Sequence, residues 1–291
     1  MRAAALAVLL LIGAALAACT PASSQSDAAS DPAASSAPAS SAPAASASPP
    51  DSSAPASSAL ASSAPASSEA AASSAPASDN PALAAFAYEP PGTLQSGNTG
   101  VDDDTVYAPG IRFPLEQANG YANSQVYGHG GEFGPGGGQC DAINYAYPWH
   151  DNFCEARAAY DTPLCPTGKG HQGQDIRPNS CEKAHWVAVA VENGVISQIG
   201  VYTVYLSGDS GRTYLYLHMQ MDQLKVKVGD RVERGQPLGL VSNNFGTTST
   251  TIHLHFEIKE PVTLKGQTVV TRVPPYTSLV DAYKALLAGD P

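Results

Sequence analysis

The feature that most limits how this chain can fold is a long tract of small and polar residues. Residues 20–79 contain 22 Ala, 21 Ser and 9 Pro, so three residue types fill 52 of 60 positions. Ordering a backbone costs roughly 1 to 2 kcal/mol per residue, and this tract has almost no large apolar side chain whose burial could offset that cost. About 200 of the 291 residues therefore remain for folding, which suits one sizeable core.

The charge of the chain lies mostly outside the part that can fold. Residues 1–111 carry 1 basic and 9 acidic side chains, a net charge of −8, whereas residues 112–291 carry 14 and 17, a net charge of −3. Phosphate binding needs a basic surface, and the cationic segment Lys225–Arg234 also contains acidic residues. We therefore expect no nucleic-acid partner.

The chain begins with a pattern typical of an export signal. Arg2 precedes an apolar run, Ala3–Leu16, that is too short to span a membrane, and the sequence Leu-Ala-Ala-Cys ends at Cys19. This ending resembles the lipobox of bacterial lipoproteins, which implies acylation of Cys19. An ordinary cleavable signal with an incidental cysteine is the alternative.

The lipobox resemblance also implies a location. Thr20 follows the cysteine, whereas an Asp there would suggest retention in the inner membrane. We therefore expect an exported lipoprotein at the periplasmic face of the outer membrane of a Gram-negative bacterium. Residues 1–18 would be its signal peptide, and residues 19–85 its lipidated cysteine and disordered tether.

Four cysteines remain after Cys19, and their gaps contain no C-x-x-C pair: Cys140, Cys154, Cys165 and Cys181. In an oxidising compartment this favours two disulfides over a structural zinc site. Three pairings are compatible with the sequence. We prefer Cys154 with Cys165 and Cys140 with Cys181, a nested arrangement that would staple an irregular lead-in, residues 86–165.

The segment after Cys181 alternates apolar and polar residues, which predicts strands. Two hairpins are expected, one around Glu192–Gly194 and one around Ser207–Arg212. Helix is expected only at Ser278–Leu287. The strands predicted are His185–Val191, Val195–Ile199, Val201–Leu206, Thr213–Leu217, Leu224–Val228, Pro237–Val241 and Ile252–Ile258. The fold class is therefore mostly β, with an antiparallel sheet behind an irregular, disulfide-stapled N-terminal segment.

Two local patterns carry candidate metal ligands. His171 and Asp175 are four residues apart, and Gly173 can supply the bend that brings them together. His253 and His255 lie on one face of a predicted strand, roughly 6.5 to 7 Å apart. Two imidazoles and one carboxylate make a zinc set with an open fourth position, which is typical of catalytic sites.

Three motifs together resemble the lysostaphin/LytM-type zinc metallopeptidases: GHQGQDI at Gly170–Ile176, YLHM at Tyr216–Met219 and HLHFE at His253–Glu257. The resemblance spans about residues 110–262, and Lys227–Val241 is also similar. It implies a LytM-like catalytic domain, the duplicated hybrid motif, at residues 166–262, followed by a C-terminal strand and short helix at 263–291.

The resemblance assigns a role to each site residue. It implies one zinc ion bound by His171, Asp175 and His255, with His218 and His253 as a catalytic pair that does not ligate. One departure is the run Thr250–Ile252, where the family has a Gly-rich turn, so the adjacent substrate wall should differ.

Three further histidines and one glutamate could also bind a metal by residue type, and each needs its own interpretation. His129, His150 and His185 match no ligand position and are interpreted as surface or structural histidines. Glu257 could orient a metal ligand or face the substrate.

The resemblance and the export signal together predict a zinc metalloendopeptidase that cleaves stem or cross-link peptides of peptidoglycan, acting as a monomer. The bond between D-Ala and diaminopimelate would be its target in a Gram-negative cell. A catalytically inactive regulator that binds the cell wall is the main alternative. A biotinyl- or lipoyl-type carrier, suggested by the Val228–Gly239 run, lacks a modifiable lysine in an isolated hairpin turn.

Overall fold

The structure, a computed structural model, describes residues 80–157 and 160–291. Cys19, the signal peptide and most of the predicted tether lie outside these residues. The elements, in chain order, are α1 (Pro81–Ala85), β1 (Tyr121–Ala122), β2 (Gln174–Arg177), β3 (Val187–Val189), β4 (Gly194–Ile199), β5 (Thr203–Gly208), β6 (Thr213–Leu217), β7 (Arg231–Val232), β8 (Pro237–Leu240), β9 (Leu254–Leu264), β10 (Gln267–Val273) and α2 (Tyr276–Ala288).

One antiparallel sheet contains most of the strands, so the predicted fold class is confirmed. Its order is β1-β2-β9-β6-β5-β4-β7, and β10 also pairs with β9. The first five residues of β9 are all buried, because β2 and β6 flank this half of the strand. The HLHFE motif therefore enters the centre of the sheet, where its polar side chains are shielded from solvent.

The hairpin predicted around Ser207–Arg212 is confirmed, since β5 and β6 pair in register from Thr203 opposite Leu217 to Ser207 opposite Thr213. The hairpin predicted around Glu192–Gly194 is wrong. β3 pairs with β8 in a separate two-stranded sheet, and β4 pairs with β5 and β7. Alternation specifies which face of a strand is buried, but not its partner.

The strand predicted at Leu224–Val228 is also wrong. Its backbone makes one hydrogen bond to β8, from Lys225 N to Leu238 O at 2.8 Å. Val226 is buried, but Val228 is 57% exposed, so the alternation does not correspond to a covered face. The segment is part of the connection between β6 and β7 and ends in the predicted turn at Gly229.

The described residues contain two α-helices, of which only the second is predicted from the sequence. α2 extends the predicted Ser278–Leu287 helix by two residues at its start and one at its end, where Gly289 caps it with a φ of 83°. α1 is a single short turn whose first amides donate to the Asn80 side chain. The sequence does contain the signal for the start of this helix, an Asn at the N-cap position followed by Pro81. In the described part of the chain, no helix has both the length and the apolar composition needed to cross a membrane.

The two disulfides have the pairing preferred from the sequence, Cys140 with Cys181 and Cys154 with Cys165. They lie in the irregular segment that precedes β3. The second one packs with Phe153 in a small core of its own, apart from the main core. A long segment with little regular structure is thus fixed in place covalently and by local packing.

An aromatic cluster joins the lead-in to the C-terminal helix. Trp149 is fully buried, and its ring centroid lies 4.5 Å from that of Tyr283 in α2 and 5.7 Å from that of Phe113. Its indole N–H also donates to Gly120 O at 2.8 Å. The lead-in is therefore part of the main core and not an appendage.

Replacing Trp149 by Ala is expected to lower the free energy of unfolding by about 3 to 5 kcal/mol, because it empties a large buried volume and leaves the Gly120 carbonyl without its donor. Urea denaturation followed by circular dichroism measures this. Phe133→Ala is the control, since Phe133 is 56% exposed. A loss below about 1 kcal/mol for Trp149→Ala would contradict the role of the cluster.

Candidate metal centre

Three polar atoms converge in the buried centre of the main sheet. His171 Nε2 lies 2.8 Å from His255 Nδ1 and 3.3 Å from Asp175 Oδ1, and the last two atoms are 3.0 Å apart. All three residues are buried. Within residues 80–157 and 160–291, this is the group of His, Cys, Asp or Glu side chains whose spacing could hold a metal ion.

Strand pairing places two of these side chains together. Asp175 in β2 is directly opposite His255 in β9. His171 precedes β2, and the chain between them passes so close to β9 that a Cβ on Gly173 would lie 2.3 Å from Phe256 O. Only glycine fits there, which explains the spacing of the GHQGQD motif.

The three residues fit a zinc ion. Zinc takes imidazole nitrogens and carboxylate oxygens at about 2.0 to 2.2 Å in a tetrahedral arrangement, so its ligand atoms lie roughly 3.3 Å apart. The observed separations of 2.8 to 3.3 Å are close to this value. Both the donor set and its spacing are those of a three-ligand zinc site.

The two imidazoles are oriented by hydrogen bonds on their other nitrogens. His171 Nδ1 lies 2.8 Å from Asn152 O, and a carbonyl can only accept, so Nδ1 carries the proton and Nε2 presents a lone pair. His255 Nε2 lies 3.1 Å from Glu257 Oε1, and Arg272 donates to the other oxygen of Glu257. Of the two roles considered for Glu257, the structure shows contact with a candidate ligand.

Charges around the site keep Asp175 ionised. Burial alone would raise the pKa of its carboxyl, but Arg157 and the adjacent imidazoles hold that pKa well below its usual range. Burial, with the Arg157 charge, lowers the pKa of His171 to about 4. For His255, burial is outweighed by Asp175 and Glu257, which raise its pKa to about 8. Asp175 is thus available as an anionic ligand and His171 as a neutral one, the protonation states that metal binding requires.

Two further histidines lie against the cluster. The rings of His218 and His253 are 4.5 Å apart, and His253 Nε2 is 3.4 Å from Asp175 Oδ1. The Nδ1 atoms contact backbone carbonyls, those of Asn244 at 2.9 Å and Thr251 at 2.9 Å, so each histidine keeps Nε2 as a proton acceptor. Burial lowers both pKa values, and both rings are therefore neutral at pH 7.

His218 has an unusual backbone conformation at the end of β6. Its φ of 68° is in the left-handed region, which non-glycine residues seldom adopt. The conformation is held because Ser242 N donates to the His218 carbonyl at 2.7 Å and Met219 N donates to Tyr202 O at 3.0 Å. Such strain occurs at sites where a side chain must be aimed in one direction.

The remaining histidines are elsewhere. His129 is paired with Asp141 at 2.8 Å, the side chain of His185 is 57% exposed, and His150 is half-buried near β1. None of the three adjoins the cluster.

The lead-in also lines the site. Ile252 N donates to Gln139 Oε1, and the Thr251 hydroxyl donates to Gln125 Oε1. Residues of the lead-in thus support the wall formed by the Thr250–Ile252 run. Beyond it, Phe245 is 47% exposed and its ring lies 5.3 Å from that of His218.

Sequence reasoning missed three contributors from a single segment. Asn152, Glu155 and Arg157 contact His171 or Asp175, but no local pattern of ligand spacing includes them. The one available signal was the pair of cysteines that brackets two of them.

Residues 169–270 match the sequence model of peptidase family M23. This segment contains His171, Asp175, His218, His253 and His255, and the match confirms the resemblance for this part of the chain. A search of the curated proteins gives no significant match.

Several solved structures are similar to parts of the chain. Lysostaphin from Staphylococcus simulans is 26% identical, covering 39% of this chain and 45% of that one, with a TM-score of 0.31. Its catalytic domain is 25% identical, covering 43% and 90%, with a TM-score of 0.30. A zinc-containing peptidase from Vibrio cholerae is 23% identical, covering 39% and 33%, with a TM-score of 0.26. The match thus spans less than half of full-length lysostaphin, and scores this low do not establish a shared overall arrangement.

Proposed function

Since residues 169–270 form an M23-type peptidase domain, we propose that this protein is a zinc-dependent endopeptidase that cleaves the stem or cross-link peptides of peptidoglycan. The observation that carries the proposal is the convergence of His171, Asp175 and His255 beside the buried imidazoles of His218 and His253. Three ligands leave one position for water or substrate, which distinguishes a catalytic zinc site from a structural one.

The ligand set would be His171 Nε2, one oxygen of Asp175 and His255 Nδ1. Zinc bound there would polarise the scissile carbonyl and lower the pKa of a bound water. His253 Nε2 lies nearest to the ligand cluster, so it would accept a proton as the peptide bond is attacked. The same nitrogen, once protonated, would donate to the leaving amine.

His218 would assist from the other side of His253. Its Nδ1 hydrogen is fixed on the Asn244 carbonyl, so the neutral ring presents the Nε2 lone pair as a hydrogen-bond acceptor. A hydrogen bond from the attacking water to this nitrogen would orient the water toward the peptide carbonyl. Burial of both rings excludes water that would weaken these interactions.

The substrate follows from family and location more than from the geometry. M23-type domains act on cell-wall peptides, and an exported protein of a Gram-negative cell would meet the bond between D-Ala and diaminopimelate. Digestion of purified peptidoglycan, with mass spectrometry of the released fragments, tests this. Products with new termini at a cross-link or stem peptide bond support the proposal.

Zinc analysis of the purified chain gives a second, independent test. About one zinc per chain with cleavage supports the enzyme. Zinc with binding to peptidoglycan and no cleavage would favour the inactive regulator, and absence of zinc would refute the proposed function. Asp175→Asn is the control for both measurements, because it removes the anionic ligand with little change in shape.

We also propose that Cys19 anchors the protein to the outer membrane, with residues 19–79 as a tether whose root-mean-square span is roughly 40 to 50 Å, since residues 81–85 of the predicted tether form α1. Cys19→Ser is then expected to release the protein from the membrane fraction, or leave it unprocessed, while cleavage by the purified chain is unchanged. Membrane fractionation and a peptidoglycan digest measure the two effects. Retention in the outer-membrane fraction would refute the anchor.

A further inference from the structure

The candidate metal centre has a supporting segment that lies outside the family match. Residues 152–157 precede the matched region, which begins at residue 169. Yet the Asn152 carbonyl in this segment accepts a hydrogen bond from His171 Nδ1, and the Arg157 side chain donates one to Asp175. The M23-type region alone therefore does not contain all the groups that orient its own ligands.

Arg157 divides the two oxygens of Asp175 between different partners. Its Nη2 donates to Asp175 Oδ2, whereas Oδ1 is the oxygen that faces His171 and His255. The side chain of Arg157 is 12% exposed and that of Asp175 1%. The guanidinium also lies beside Glu155, with Nε 3.5 Å from Oε2, so a buried carboxylate stands on each side of it.

The position of Arg157 is fixed by the disulfide-closed loop. Cys154 N donates to His171 O at 2.9 Å, and His171 N donates to Glu155 O at 3.0 Å. This part of the loop is therefore hydrogen-bonded to the backbone of the candidate ligand His171. Cys154 is itself joined to Cys165. Arg157 is therefore three residues from a covalent constraint and two residues from a backbone contact with a ligand.

We propose that Arg157 is a positioning residue that holds Asp175 so that a single oxygen, Oδ1, is presented to zinc. This inference rests on the proposed function, because it concerns the ion that the enzyme would use. Without Arg157, Oδ2 would lose its partner in a buried site, and the carboxylate could turn away or take up the metal with both oxygens. Removing such a supporting partner typically weakens metal binding by about 10- to 100-fold.

The test is the zinc dissociation constant of the full chain, measured by competition with a chromophoric chelator. Arg157→Ala is expected to bind zinc about 10- to 100-fold more weakly than the wild type. Arg157→Lys should recover part of the loss, because an ammonium keeps the charge without the planar guanidinium. Arg231→Ala is the matched control: it removes an exposed guanidinium, paired with Asp209, from the edge strand β7, four strands away from β9 in the sheet, and should bind zinc as the wild type does.

A purely structural role is separated by melting temperatures with zinc and with chelator. Loss of general stability would lower both values equally, whereas loss of positioning reduces the increment that zinc adds, because that increment depends on affinity. Arg157→Gln, which keeps a side-chain N–H without the charge, replaces Arg157→Ala if the latter does not fold.

The outcomes are distinct. Wild-type affinity and an unchanged zinc increment in the folded variant would refute the role of Arg157 and leave the proposed function intact. A wild-type chain that binds no zinc would refute the proposed function and this inference with it.

Discussion

Replacing His255 by Ala is expected to remove zinc and activity together. His255 Nδ1 lies 2.8 Å from His171 Nε2 and 3.0 Å from Asp175 Oδ1, so the substitution would leave two protein ligands for the ion. Loss of one of three ligands lowers zinc affinity by far more than loss of a supporting contact does, because a direct bond to the metal disappears. Metal content should fall to near zero, and peptidoglycan cleavage should become undetectable.

The control for this variant is His185→Ala, since His185 is an exposed histidine outside the cluster. Circular dichroism of both variants would show whether the sheet survives the change in β9. Zinc content is measured on the purified proteins after dialysis, with turnover on the same samples. A zinc content near one per chain in His255→Ala would exclude His255 as a ligand.

His253→Ala and His218→Ala are expected to keep their zinc but lose about 2 to 4 orders of magnitude in rate, the usual contribution of a general acid or base. His253 Nε2 is 3.4 Å from Asp175 Oδ1, and the ring centroid of His253 lies 4.5 Å from that of His218. Neither His218 nor His253 belongs to the group of side chains, His171, Asp175 and His255, whose spacing could hold a metal ion. The prediction follows from the proposal that the two rings transfer protons next to the ion without binding it.

Comparing the three variants tests the division of roles directly. His253 and His255 are two residues apart, so a general disturbance of β9 would affect both variants alike. Equal loss of zinc in His253→Ala and His255→Ala would contradict different roles. Wild-type turnover in His253→Ala would show that another group handles the proton.

The sequence by itself determined the elements whose signals are local. The alternation in Ile252–Ile258 predicts that His253 and His255 share a face, and both side chains contact Asp175, His253 from just before β9 and His255 from within it. The β5–β6 hairpin and α2 follow from turn residues and periodicity within one segment. Gly173 marked the bend before β2 because no other residue fits so close to Phe256 O.

Other features depended on contacts between distant segments. The residues around Glu192–Gly194 look like a hairpin turn, but Asn193 O accepts from Asp209 N and the flanking strands join different sheets. The local pattern is compatible with a hairpin and with two strands in different sheets. Which strands pair depends on contacts with distant segments, which only the folded chain shows.

The supporting residues of the metal centre show the same limit. An arginine such as Arg157 has no periodicity or spacing that links it to Asp175, 18 residues away. Glu257 on β9 could have faced the substrate, and it contacts His255 because Arg272 on the neighbouring β10 donates to it. Sequence thus determined which residue types could bind a metal, whereas tertiary structure decided which charges orient them, because those charges come from segments that meet only in the folded chain.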